Sequence, residues 1–348
     1  MPRPGLELLR AKLWPTRRLY EHRNSELSRE ISALRQSIEE LSARQLPAEI
    51  AALRQSIEEI SARQHHIFLW QAELRTRLRR TQALTARTYE ALHGWPDKLT
   101  VARQHPEYEL AYSEAEPLIS VAISTYHSPE TLVDIALASV RAQTYENWEA
   151  MVVGDHCTDD TVQRVQEIGD PRIRFHNLPA RENDSSDPFE RWAVKGSVPR
   201  SVAMDRARGR WIAPLSHDDA WHPEHLATLL AARQTNAEWI YSRMEMVDAS
   251  APGEPRLRSC GAWPPQLGEF NCQASLIHGL LRFLKLDRVC ALASEPNDWN
   301  LARRAWEAGV RFHFVDRETA TLRVYPRRDE LAAEYAAMGL PMEAIAFP

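Results

Sequence analysis

From Pro117 onward the chain alternates short, apolar, β-rich runs with amphipathic helical stretches, and no other feature constrains its fold as strongly. Residues 118–124 (LISVAIS) read as a strand and 129 to about 143 as a helix; 148–153 (WEAMVV) read as a second strand with a helix over 158–168. A third strand over 173–178, a helix over 199–208, a fourth strand over 210–215 and a helix near 223–232 complete the alternation. Parallel neighbours need a long crossover, which a helix supplies, so this order predicts an α/β fold with a mostly parallel sheet, right-handed crossovers and helices flanking it. Ligands of such sheets sit beyond the carboxyl ends of the strands. The polar clusters fall there: Ser124-Thr125-Tyr126 after the first strand, Asp155 after the second, and Ser216-His217-Asp218-Asp219 after the fourth.

The region upstream has a different texture. ISALRQSIEELSARQ from Ile31 returns, 19 residues later, as IAALRQSIEEISARQ from Ile50. Leu27, Ile31, Leu34, Ile38 and Leu41 alternate steps of four and three, and Ile50, Leu53, Ile57 and Ile60 continue the theme, so each copy carries one narrow apolar seam on a helix. The offset is not a multiple of seven, and Pro47 at the junction starts a helix readily but cannot continue one without a kink. A later helix with Ile67, Leu74 and Leu78 should end near Leu92, before Gly94-Trp95-Pro96. One isolated helix cannot bury such a stripe. A dimeric coiled-coil stalk, and hence a homo-oligomer, is the leading expectation; packing against the α/β domain is the other. Residues 1–24 interleave Arg3, Arg10, Lys12, Arg17, Arg18 and Arg23 with Leu6, Leu9, Leu13 and Trp14. Peripheral contact with an anionic membrane surface and an ordinary solvated tail are both open for them. The expected organisation is a basic amphipathic segment (1–24), a helical coiled-coil region (25–95), a linker (96–116), an α/β domain (117–326) and a tail (327–348).

Composition narrows the class. With 348 residues, 44% hydrophobic and 26% charged, the chain suits one large domain plus an accessory element. A net charge of −5 argues against bulk nucleic-acid binding. Cys157, Cys260, Cys272 and Cys290 form no CxxC pair, which fits reduced thiols better than a disulfide frame or zinc site. No apolar run approaches the roughly 20 residues a bilayer span needs, and the N-terminus lacks a signal-like apolar segment. A cytoplasmic setting is expected, with peripheral contact at the inner membrane face left open.

Several residues at the strand ends have chemistry to offer. Asp218 and Asp219 supply hard oxygen ligands of the kind Mg²⁺ or Mn²⁺ prefers, one or two protein carboxylates with substrate phosphates sufficing; Asp219 can instead cap the helix that follows. Asp155 can accept a hydrogen bond from a base or ribose, or close an Asx turn. Asp298, in EPNDWNLARRAW, starts a helix and can take a proton from an acceptor hydroxyl, or merely cap that helix. Arg200 can pair with a diphosphate or be an ordinary surface arginine, and His217 can stabilise diphosphate charge or do nothing. Gln273, Ser275 and Trp299 are candidates for an acceptor side, and the polar stretch 180–196 for a lid. His222 and His225 (HPEH) read as helix-surface residues. There is no GxxxxGK[ST], GxGxxG after a strand, GxSxG or HExxH.

The segments PLISVAISTYHSPETLVDIALASVRAQTYENWEAMVVGDHCTDDT, DPRIRF, PRSVAMDRARGRWIAPLSHDDAWHP and NDWNLARRAWEAGVRFHFVD follow one another in an order that resembles the family-2 glycosyltransferases of GT-A fold. The resemblance covers about 117–326. It implies an inverting transferase that uses a nucleotide-diphosphate sugar, a divalent metal, and a glycan, lipid-linked or protein acceptor in polysaccharide or glycoconjugate assembly. It further implies that Ser124, Thr125 and Tyr126 hold the nucleotide and that Asp155 bonds the base. Arg200, matching the Arg of A-R-N-x-G, would approach the nucleotide; Asp218, the last Asp of D-x-D, would bind metal; and Asp298, the Asp of E-D-W, would be the general base. Three positions depart from the pattern: Gly154 stands for the first Asp of V-V-D-D-G-S, Ser216 for the first Asp of D-x-D, and Asn297 for the Glu before the base. These departures keep a metal-independent variant and a non-catalytic, nucleotide-binding scaffold in view as the alternative.

Overall fold

The computed structural model describes residues 25–40, 42, 47–92, 95–181, 188–293 and 295–324. Segment 1–24, the tail from 325 and residues 182–187 of the expected lid lie outside them. The chain divides into two compact units, Met1–Leu78 and Arg79–Pro348.

Residues 25–40 are helical, and Pro47 opens a helix of 46 residues, Pro47–Leu92, that begins in the first unit and contains no further proline or glycine to end it. The expected separate helix beyond the second repeat is therefore a continuation of this one. The two repeat copies face each other. Leu27, Ile31 and Ile60 are buried in one cluster, Leu34, Ile57 and Ile67 pack against it, and Gln64 Nε2 donates to Ser28 Oγ at 2.9 Å. This cluster covers part of the apolar seam within a single chain, while Ile38, Ile50 and Leu53 stay half-buried outside it.

In the second unit nine strands form one sheet: β1 Ile119–Thr125, β2 Trp148–Gly154, β3 Ile173–Asn177, β4 Trp211–Ser216, β5 Ala220–Trp221, β6 Trp239–Asp248, β7 Arg256–Cys260, β8 Ser275–His278 and β9 Phe312–Val324. The order is β3-β2-β1-β4-β8-β6-β9-β5, with β7 on β6. The first four strands are parallel, as their intervening helices require. Beyond β4 the sheet is mixed: β8 runs antiparallel to β4 and β6, while β9 is parallel to β6. All residues of β1 and β2 are buried, because helices cover both faces over two cores. No described helix is long and apolar enough to cross a membrane.

Two expectations need correction. Residues 96–116, expected as a linker, fold into the helices Trp95–Arg103 and Leu110–Ser113, whose Leu99, Ala102 and Ala111 are buried. Their polar groups converge on Glu238, which has no exposed surface. Arg103 Nε and Nη2 donate to its two oxygens at 2.7 and 2.8 Å, Tyr108 O–H donates at 2.6 Å, and the Arg311 N–H at 2.9 Å. Trp211 Nε1 also donates to the Ala111 carbonyl at 2.9 Å. A segment that supplies three of the four donors to a buried carboxylate is not a solvated linker. His225, read as a surface residue, is fully buried: its ring stacks on Trp221 at 4.4 Å and Nδ1 lies 2.6 Å from Thr319 Oγ1. The helix that carries it, His225–Ala231, is only two turns long and presses its first residue into the core.

Candidate functional site

Sheet register brings the first two polar clusters together. Thr125 pairs with Gly154 and Ser124 with Ser216, so the carboxyl ends of β2, β1 and β4 lie side by side. The Asp155 N–H donates to the Thr125 carbonyl at 2.9 Å. The nearly buried Asp155 carboxylate lies 3.9 Å from Arg181 Nε, and the Arg181 guanidinium sits 3.9 Å above the Tyr126 ring, which also stacks on His127 at 4.2 Å. The buried Thr125 hydroxyl has no hydrogen-bond partner.

Gly154, where the family pattern has aspartate, is dictated by packing. A Cβ there would stand 2.6 Å from Asn177 Oδ1 and 2.9 Å from Phe175 Cζ. Asn177 is itself fixed, accepting from the Cys157 N–H at 2.8 Å and donating to the Cys157 carbonyl at 2.7 Å.

The β4 end holds a denser group. Gly196, at φ +69°, precedes the helix Ser197–Arg206; a Cβ on it would lie 3.1 Å from Ser124 Oγ, so glycine lets this helix start against the end of β1. One turn in, the buried Arg200 donates from Nη2 to Ser216 Oγ at 2.9 Å, and Gln273 Nε2 donates to the same oxygen at 2.6 Å. Arg200 Nε and Gln273 Oε1 are buried without partners. Asp219 is buried, with Oδ1 accepting the Arg323 N–H at 2.9 Å. Burial, then the neighbouring Asp218 charge, hold its carboxyl well above the usual range against the pull of Arg323 and Arg200. His217 keeps some surface, yet its enclosed ring is held below the ordinary imidazole range by burial, with Lys195 and Arg200 acting the same way and Asp218 opposing.

Asp298 lies in the first turn of the helix Asn297–Glu307. Its Oδ1 accepts the Trp299 N–H at 2.8 Å. Burial raises its carboxyl above the ordinary range, opposed by that amide and by the charge of Arg200. Asn297 donates to the Lys195 carbonyl at 2.9 Å and to Ser197 Oγ at 3.0 Å, tying this helix to the start of the Arg200 helix. A glutamate here could not make those donations.

The structure thus gathers Arg200, Ser216, His217, Asp218, Asp219, Gln273 and Asp298 at the β4 end, with Ser124, Thr125, Tyr126 and Asp155 across β1. Of the residues expected on an acceptor side, Ser275 is sealed inside β8 opposite Tyr241, so it lines no surface, and Trp299 packs part-buried against the core. Arg181, Lys195 and Arg323 escaped sequence reasoning: the first two sit in the polar stretch read as a lid, and Arg323 acts through its backbone. Among the described residues no three His, Cys, Asp or Glu side chains converge as a metal-holding group. Asp219 Oδ1 is taken by the Arg323 N–H.

Residues 120–185 match the family described as Glycosyl transferase family 2. UDP-Glc:alpha-D-GlcNAc-diphosphoundecaprenol beta-1,3-glucosyltransferase WfgD of Escherichia coli is 28% identical over 132 residues, 38% of this chain and 47% of that protein. Succinoglycan biosynthesis protein ExoO of Rhizobium meliloti is 31% identical over 114 residues, 33% of this chain and 29% of that protein. The chain therefore spans half or less of the length of these relatives. A crystal structure of S. aureus TarS 1-349 in complex with UDP-GlcNAc superposes with a TM-score of 0.46 at 17% identity, covering 59% of this chain and 58% of that one. The α/β architecture expected from the sequence, of GT-A type, accords with the family match.

Proposed function

We propose that the chain is an inverting glycosyltransferase that moves a sugar from a nucleotide-diphosphate donor to an acceptor hydroxyl during polysaccharide or glycoconjugate assembly. One observation carries this reading: the register sets the carboxyl ends of β2, β1 and β4 side by side, and there the buried Arg200 reaches Ser216 Oγ at 2.9 Å, two residues before the Asp218-Asp219 pair, at the edge where α/β sheets bind ligands. The family match over 120–185 supports it, and neither that match nor the relatives named above supports the non-catalytic scaffold.

Transfer is a single displacement. The acceptor oxygen bonds to the anomeric carbon as the bond from that carbon to the diphosphate breaks, the electron pair leaves with the nucleoside diphosphate, and Asp298 takes the hydroxyl proton. Attack opposite the leaving group inverts the centre. A carboxyl raised by burial is a stronger base than an ordinary one, and the Trp299 amide holds its rotamer. Arg200 meets the charge that develops on the leaving group. Ser124, Thr125, Tyr126 and Asp155 hold the nucleotide, Asp155 accepting from the base or ribose. A divalent ion, Mg²⁺ or Mn²⁺, suits the donor set: Asp218, beside the unfavourably buried Asp219, would hold it together with diphosphate oxygens and water. When bound it supplies further charge neutralisation at the leaving group. The acceptor is a glycan, a lipid-linked saccharide or a protein, with Gln273 and Trp299 nearest its side. The proposed setting is cytoplasmic, with peripheral membrane contact through 1–24 and self-association through the helical region; light scattering at the mass of a monomer removes the latter.

The test is a panel of nucleotide sugars with Mn²⁺, UDP-glucose first, read by thermal shift and product formation in the wild type and Asp298→Asn. If no nucleotide moves the melting transition and Asp298→Asn changes no activity, the reading fails.

A further inference from the structure

We propose that Ser216 is a donor-binding residue whose hydroxyl proton is committed to the ligand, so that a neutral side chain and Arg200 together grip the diphosphate where the family pattern has a carboxylate. The inference rests on the glycosyltransferase reading above and specifies how that site holds its nucleotide.

A serine hydroxyl has one proton and two lone-pair positions. Ser216 Oγ accepts from Arg200 Nη2 at 2.9 Å and from Gln273 Nε2 at 2.6 Å. With both neighbours presenting N–H groups, both lone-pair positions are filled and the hydroxyl proton points elsewhere. With the Gln273 amide turned over, the Ser216 hydroxyl would instead donate to Oε1, and Ser216→Ala would then leave nucleotide affinity unchanged. The same two neighbours carry unmatched atoms of their own: Arg200 Nε and Gln273 Oε1 are buried without partners, in residues only 6% and 8% exposed. Buried polar groups of this kind are costly unless something hydrogen-bonds to them. Two donors beside one acceptor suit a ligand rich in anionic oxygens that also carries a hydroxyl, as a sugar diphosphate does.

The contrast with aspartate gives the serine its meaning. A carboxylate at 216 would only accept, and it would hold the Arg200 guanidinium in a charge-assisted pair, in competition with the phosphates. Serine positions the same guanidinium without neutralising it, so the charge of Arg200 remains for the ligand. Nucleotide affinity then depends on Ser216 and Arg200 more than on the divalent ion.

Isothermal titration of the full chain with UDP, GDP and dTDP, in EDTA and in Mn²⁺, tests this on the wild type, Ser216→Ala, Ser216→Thr and Ser216→Asp. Ser216→Ala should weaken the best-bound nucleotide roughly tenfold in both buffers, as loss of one charge-assisted hydrogen bond does. Ser216→Thr, which keeps the hydroxyl, should stay within about threefold of wild type. Ser216→Asp should bind roughly tenfold or more weakly in EDTA and recover in Mn²⁺, widening the gap between the buffers. Should alanine fail to fold, the threonine and aspartate pair carries the same contrast. Affinity of Ser216→Ala equal to wild type, or of Ser216→Asp equal to wild type in EDTA, overturns the inference while leaving the transferase reading intact. A wild type that binds no nucleotide in either buffer overturns both.

Discussion

Replacing Glu238 by alanine should destabilise the α/β unit by about 3–4 kcal/mol, near the low end of what removing one partner from a buried ion pair costs. The figure follows from who is left behind. Arg103 loses two hydrogen bonds, but its side chain is 34% exposed and can recover some hydration, which holds the loss down. Tyr108 O–H and the Arg311 N–H each lose an acceptor in a site with less access to water, at roughly 1 kcal/mol or more apiece. In a unit of this size that is a fall in Tm of roughly 6–15 °C by differential scanning calorimetry. The pH dependence supplies an independent check. Burial pushes the Glu238 carboxyl up, but Arg103, Tyr108 and the Arg311 amide outweigh it and hold it below the usual range. Its stabilising contribution is therefore complete above the unfolded carboxylate pKa of about 4.3 and is lost as pH falls through the folded value. The Tm gap between wild type and Glu238→Ala should close on acidification. A variant melting within about 2 °C of wild type at pH 7, or a gap independent of pH, would refute the idea that residues 95–113 are clasped onto the domain through this carboxylate.

Three further outcomes are expected. Asp298→Asn should lower kcat by roughly 10²–10⁴-fold in a donor-saturated transfer assay, while nucleotide binding by calorimetry changes little; equal loss of both would assign Asp298 to binding instead. Because burial raises the Asp298 carboxyl, kcat should climb with pH through an apparent pKa above the ordinary aspartate value of about 3.9, and a flat acid limb down to pH 4 would contradict the base assignment. Gly154→Ala should cost about 1–3 kcal/mol in urea unfolding, since its methyl must displace the doubly hydrogen-bonded Asn177; an unchanged midpoint would show that β3 can yield there.

The sequence was informative where local pattern and tertiary demand agree. The apolar runs leading to Ser124, Val153 and Leu215 are central, fully buried parallel strands, so their burial needed no knowledge of partners, and the polar residues after them had to fall at one edge. What stayed hidden depends on contacts made across long separations. Nothing in PDKLTVARQHPEYELAY says that Arg103 and Tyr108 will meet Glu238, more than a hundred residues on. The antiparallel β8 follows from where the chain returns, not from its own composition. Of the three departures from the family pattern, Gly154 and Asn297 read as losses in one dimension; in space the first makes room for Asn177 and the second joins two helices. Ser216 likewise looks like a missing ligand until Arg200 and Gln273 are seen to share its oxygen.

The bond from the Arg323 amide to Asp219 has a practical corollary. No side-chain replacement at 323 can remove it; only proline, which lacks the N–H, would. Position 323 is the penultimate residue of β9, so a truncation made directly after Val324 ends the chain within a few ångströms of Asp219. Activity differences between recombinant versions cut at that end should be traced to this carboxylate before any are ascribed to the removed sequence itself.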